Sequence, residues 1–162
     1  MNSRPLALRE LFPENRIRTD IASVDKESLF VELVDLIGLT SSGNFDRGAA
    51  LGCVMEREAL MSTGIRHGIA VPHGKCDAFE SMVGAIGISR SGIDYDAFDG
   101  CPVHIAFLII SPRRNPETHL RTLKLLAEIL DLPGFVDALK SASSPKEVSD
   151  ALELFEDRLG SA

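Results

Sequence analysis

The chain is predicted to fold as a layered α/β domain, a central mixed β-sheet flanked by helices. Stretches with a helical spacing of apolar residues alternate with short apolar runs, and one run, Val103 to Ile110, is apolar almost without interruption. Such a run marks a central strand covered on both faces. At 162 residues, with 44% apolar and 25% charged, the sequence suits a single domain over 1–162 with a full-sized core.

The elements follow in order. Asp25 is placed to cap a helix carrying Leu29, Phe30, Leu33, Leu36 and Ile37 at helical spacing, with Gly38 as its stop. A second helix is expected from about Phe45 to Leu60; before Glu56 it is apolar on too many sides to assign Arg57 a face. Strands are expected at Ile69 to Val71, Val83 to Ser89 and Val103 to Ile110. Asn115, Pro116 and Glu117 form a helix start: a side-chain cap, a proline at the first position and an acid in the first turn. That helix carries Leu120, Leu123, Leu126 or Ala127, and Leu130 at helical spacing and ends before Pro133-Gly134. Ser144-Pro145-Lys146-Glu147 reads as a capping box opening a last helix with Val148, Ala151, Leu152, Phe155 and Leu159 on one stripe.

Composition excludes several classes of function. A net charge of −7 with no basic, aromatic-studded stripe argues against nucleic acid. With no apolar run of membrane-spanning length and no basic–apolar leader, the expected location is the cytoplasm, without membrane insertion. Cys53, Cys76 and Cys101 are odd in number and lack a CxxC pair, which points to reduced thiols. Neither a P-loop nor a dinucleotide fingerprint occurs, so no nucleotide cofactor is expected. An acidic protein that handles phosphate must gather positive charge locally, and Arg57, Arg66, Lys75, Arg113 and Arg114 are the candidates.

The sharpest local signal is Gly68-Ile69-Ala70-Val71-Pro72-His73-Gly74-Lys75. Proline supplies no N–H to a ladder, so pairing should lapse at Pro72, with Gly74 allowing a turn and His73 displayed clear of the sheet at a strand's carboxyl end. A neutral imidazole there can ligate a metal, take a proton or attack phosphorus, and a plain surface histidine in a turn is the bland alternative. His119 falls in the first turn of the helix after the central strand, where a helix N-terminus favours anions; its bland reading is an edge-of-core residue in line with Leu123 and Leu126. His104 reads as a buried, hydrogen-bonded imidazole and His67 as a solvent-facing loop residue. A metal site from His67, His73 and Cys76 lacks paired ligand spacing, and a Cys76 nucleophile lacks an oxyanion loop and an orienting acid.

The motif Ala70-Val71-Pro72-His73-Gly74, with Arg57 in Met55-Glu56-Arg57-Glu58-Ala59-Leu60 and His119 in Asn115-Pro116-Glu117-Thr118-His119-Leu120, resembles the enzyme IIA component of the bacterial phosphoenolpyruvate-dependent phosphotransferase system, fructose/mannitol class. The resemblance extends through Asp94-Tyr95-Asp96-Ala97-Phe98-Asp99-Gly100 and the Val103 to Ile110 strand. The opening Leu8-Arg9-Glu10-Leu11-Phe12-Pro13-Glu14-Asn15-Arg16-Ile17 looks most like the stand-alone nitrogen-regulatory branch. Arg66 is a departure, standing where many members carry a small residue beside the histidine motif.

The resemblance implies that His73 is the phosphorylated nucleophile, that His119 is a neighbouring imidazole positioning the phosphoryl group, and that Arg57 stabilises its charge. Ser62 and Thr63 are candidate hydroxyl donors to the same group, or an ordinary helix-ending turn. The implied donor is a histidine phosphocarrier protein, and the acceptor a regulatory target or a permease-associated protein, with no metal or organic cofactor. Met61, Ile65 and Ile69 are candidates for an apolar donor-docking patch, or else core. Since no permease or cysteine-bearing acceptor domain is present in the sequence, the regulatory end point is the expectation. A sugar-specific enzyme IIA feeding a permease is the alternative, and a non-catalytic small-molecule binding domain a remote one.

Overall fold

In the computed structural model, which describes residues 6–161, the elements run α1 (Leu8–Leu11), β1 (Ile17–Arg18), α2 (Lys26–Thr40), α3 (Arg47–Leu60), β2 (Ile69–Ala70), β3 (His73–Lys75), β4 (Val83–Ile93), β5 (Val103–Ser111), α4 (Pro116–Leu130), α5 (Phe135–Ser141) and α6 (Pro145–Gly160). A single 3-10 turn, Glu14–Arg16, precedes β1. The outermost residues of the expected 1–162 domain lie outside the described residues.

The long apolar run is the axis of the sheet. β5 pairs antiparallel with β4 and parallel with both β2 and β3, and β1 joins the far side of β4 in parallel, so the sheet is mixed. Alternation along β5 divides the interior. Ala106, Leu108 and Ile110 face a core shared with Leu29, Phe30, Leu33 and Ile37 of α2 and with Ala50 and Val54 of α3. Ile105, Phe107 and Ile109 face a second core built from α1, α4, α5 and α6, including Leu126, Ile129, Phe135, Leu152 and Phe155. Burial on both faces is why β5 carries almost no polar residue. No helix among the described residues is long and apolar enough to cross a membrane.

Several local expectations are corrected. Gly38 does not stop α2, which runs on to Thr40; a Cβ there would meet the Phe45 ring at 2.2 Å, so this glycine makes room for an aromatic neighbour. The second helix begins at Arg47, because Asp46 accepts from the Ala49 amide and acts as its cap. Asn115 makes no side-chain cap bond. The capping box at Ser144 is half formed: Ser144 accepts from the Glu147 amide, but Glu147 reaches the amide of Ser143 instead. The Val83 strand extends to Ile93, past a register shift between Ile88 and Ile93.

The strand reading around His73 also changes. β2 closes at Ala70, and pairing resumes at His73, which sits opposite Ile109 of β5. Proline therefore interrupts one edge ladder rather than ending it, and His73 is part of the sheet instead of clear of it. Gly74 is not a turn residue. A Cβ on it would come within 2.7 Å of the Cys53 backbone and sulfur, so its role is the close approach of α3 to β3.

Candidate active site

The site is assembled where β3 meets the carboxyl end of β5. His73 is half-buried, and its Nδ1 lies 2.8 Å from the Val71 carbonyl oxygen. A carbonyl only accepts, so Nδ1 carries the proton and Nε2 is left with a free lone pair. Burial, foremost, lowers the pKa of His73; the Val71 bond opposes this and Arg57 reinforces it. The imidazole is thus neutral and nucleophilic near neutral pH.

His119 stands beside it, the two ring centroids 5.3 Å apart with planes inclined by 49°. It is buried on the sheet side of α4, and its Nδ1 is 2.6 Å from the hydroxyl of Ser111, the last residue of β5. Burial, then the proximity of His73 and Lys75, pushes its pKa down to about 4. The expected juxtaposition of the two histidines is present because β3 and β5 are neighbours and α4 returns over β5.

Arg57, in the last turn of α3, is partly exposed and donates from Nη1 to the Met61 carbonyl at 2.9 Å. It shares with His73 an open groove of about 830 Å³ floored by Ile69, Val71, Leu123 and Leu126 and bordered by Met61, Ile65 and Phe98. Arg66 rims this groove and reaches Asp131 at 3.3 Å, both side chains well exposed. Arg113 and Arg114 do not border it. The Arg113 amide donates to Asp77, and the Arg114 side chain donates to the Glu80 carbonyl.

Thr63 is corrected as a phosphoryl donor. Its amide and its hydroxyl both donate to the carboxylate of Glu58, and Tyr95 lies 2.8 Å from the same hydroxyl. Glu58 is only 8% exposed; Lys26 completes its shell at 3.0 Å. Burial works against its ionisation, but the bonds from Thr63 and Lys26 outweigh it and leave its pKa lowered. Sequence reasoning missed this network, and it matters for His73. The Thr63 carbonyl accepts from the Val71 amide at 3.0 Å, and Val71 in turn orients the imidazole. Ser62 accepts from the Gly64 amide at 3.2 Å.

The remaining candidates are placed plainly. His104 is half-buried with Nδ1 2.9 Å from the Ser89 carbonyl, and His67 is an exposed loop residue at φ 63°. Ile69 is 3% exposed and belongs to the core, whereas Met61 at 58% and Ile65 at 43% are surface residues. No group of three or more His, Cys, Asp or Glu among the described residues is arranged to hold a metal.

A mixed sheet with a neutral imidazole and a guanidinium in one open groove, and a second, buried neutral imidazole beside the first, defines a histidine-based phosphotransferase component, not an enzyme built around a nucleotide loop. The chain belongs to the family described as phosphoenolpyruvate-dependent sugar phosphotransferase system, EIIA 2, which it matches over residues 10–154. It is 32% identical over 147 residues to the fructose-specific EIIABC component of Bacillus subtilis, spanning 91% of this chain and 23% of that much longer protein. It is 28% identical to the nitrogen regulatory protein of Pseudomonas aeruginosa, covering 85% of this chain and 88% of the relative. The crystal structure of the nitrogen regulatory protein IIA-Ntr from Neisseria meningitidis superposes with a TM-score of 0.81 at 31% identity, over 90% of this chain and 98% of that one. A complex of mannitol enzyme IIA with phosphorylated enzyme IIB from Escherichia coli shares the fold, at 20% identity over 88% of this chain and 96% of that one, with a TM-score of 0.71. Proteins of this family work with phosphocarrier donors and enzyme IIB acceptors.

Proposed function

We propose that this protein, a single domain over 1–162, accepts a phosphoryl group from a histidine phosphocarrier protein onto His73 and holds it as a regulatory signal or passes it on. The observation that carries this reading is the Val71 bond to Nδ1, which leaves Nε2 of a neutral imidazole as the nucleophile in an open groove. Nε2 attacks phosphorus in line; a new N–P bond forms as the donor's N–P bond breaks, and the electron pair returns to the donor nitrogen. Arg57 and His119 then have the task of neutralising and positioning the transferred oxygens, which is most of what this chemistry requires. No metal or organic cofactor takes part in these steps, and the place of action is the cytoplasm.

The regulatory end point is supported by similarity along nearly the whole length of nitrogen regulatory relatives. The alternative, an enzyme IIA serving a fructose permease, is favoured by 38% identity over 107 residues to the fructose-specific EIIA component of Haloferax volcanii. The deciding experiment is the intact mass after incubation with phosphoenolpyruvate, the system's first enzyme and its phosphocarrier, beside His73→Ala. An acid-labile phosphate on the wild type alone is the expected result. Equal uptake by both proteins moves the site elsewhere, and none by either ends the carrier reading.

A further inference from the structure

His119 is buried and neutral, so it has one N–H, and the ring nitrogen that bears it decides what the residue offers to its neighbour. If the proton is on Nε2, the ring donates a hydrogen bond. If it is on Nδ1, Nε2 is a lone pair that repels an anionic oxygen.

We propose that Ser111 is a positioning residue for phosphoryl transfer, its hydroxyl donating to Nδ1 of His119 and so fixing that imidazole as an Nε2–H donor toward the phosphoryl oxygens on His73. Side chains on β5 alternate, which puts Ser111 on the same face as Ile105, Phe107 and Ile109, beneath α4. A serine that follows the apolar, fully buried run Ile105 to Ile110 has no packing reason to be polar, and it is itself fully buried. Its hydroxyl has one partner among the described residues, Nδ1 of His119 at 2.6 Å. Were Nδ1 the donor, the serine proton would be left buried without an acceptor, which native interiors avoid. Hydroxyl donation satisfies both groups.

The two imidazoles are then locked in complementary forms. Val71 holds the proton of His73 on Nδ1 and leaves Nε2 to attack; Ser111 holds the proton of His119 on Nε2 and leaves it to donate. The inference rests on the carrier reading above but has its own readout. Nitrogen-15 NMR of the histidine side chains, with no phosphate present, should show His119 neutral with its proton on Nε2 at pH 7. A proton on Nδ1 would overturn the proposal. In the phosphocarrier assay, Ser111→Ala and Ser111→Cys, compared under conditions where circular dichroism shows both folded, should each slow uptake about tenfold, the size of effect that one lost hydrogen bond in the transition state accounts for. Cysteine keeps the side chain's shape but only a weak donor, so a wild-type rate in Ser111→Cys would assign the effect to packing and sink the inference. Uptake unchanged in Ser111→Ala would do the same. If wild type takes up no phosphate at all, the carrier reading fails, and the tautomer measurement decides this one separately.

Discussion

His73 lines the groove while His119 beside it is buried, and that difference in burial has a thermodynamic consequence. An unfolded chain titrates its imidazoles near about 6.5. Folded His119 is held down to about 4, by burial first and then by His73 and Lys75. Between those values the unfolded state binds the proton that the folded state refuses, so stability rises with pH across that window and is lost on acidification through it. A displacement of this size corresponds to about 3 kcal/mol. Urea denaturation of wild type and His119→Gln at pH 7 and pH 4.5 isolates it: the variant should lose less stability on acidification, and equal losses would reject the account. Residues of this kind were only partly legible beforehand. His73 announces itself through the Pro-His-Gly frame and His119 through a helix start after an apolar strand. Glu58, Thr63 and Ser111 carry no such local mark, because their partners lie on other elements: Lys26 and Tyr95 for the first two, α4 for the third.

At the scale of elements, the proposed function depends on how α3 lies against β3, since one carries Arg57 and the other His73. The contact is made at Gly74, where backbone meets backbone. A Cβ added there would come within 2.7 Å of the carbonyl carbon and oxygen of Cys53, atoms that a side-chain rotation cannot move away. Gly74→Ala should therefore cost about 1–3 kcal/mol, as overpacking does, and should slow phosphoryl uptake by parting Arg57 from His73. Chemical denaturation and the phosphocarrier assay check the two halves; unchanged stability would mean that α3 has room to shift. A glycine beside a histidine looks the same in sequence whether it serves a turn or a close approach, so the residues alone point to a turn. Period and length agree in α2, α6 and β5, whose buried stripes show in the residues. By contrast, α4 buries His119, Thr122, Leu126 and Ile129 and leaves Leu120 exposed, so of its expected leucine stripe only Leu126 is fully buried: a polar pair, His119 and Thr122, takes the inner face that the leucine spacing points to. α1, β1 and α5 span four, two and seven residues, too few to display a period, and they exist because the sheet and α6 give them something to pack against.

For the whole molecule, the proposed function asks an acidic protein of net charge −7 to bring a second protein's phosphohistidine to His73 and then release it. The surface around the groove answers with apolar area rather than charge. Met61 and Ile65 are exposed, and Phe98, 76% exposed, is tied to the same loop by its amide bond to the Gly64 carbonyl at 3.2 Å. Phe98 borders the groove with Arg57 and His73, on the surface that a partner would approach. An exposed aromatic that contributes little to its own core is the kind of residue that dominates a small, transient interface. Phe98→Ser should then leave thermal stability within the range usual for surface substitutions, about 0.5 kcal/mol. It should raise the phosphocarrier concentration needed for half-maximal uptake about tenfold, the size of effect that loses about 1.4 kcal/mol of binding. The maximal rate at saturating carrier should hold, because the groups that handle phosphorus are untouched. A fall in that maximal rate with no change in the half-saturating concentration would place Phe98 in the chemistry of the groove instead of its docking surface.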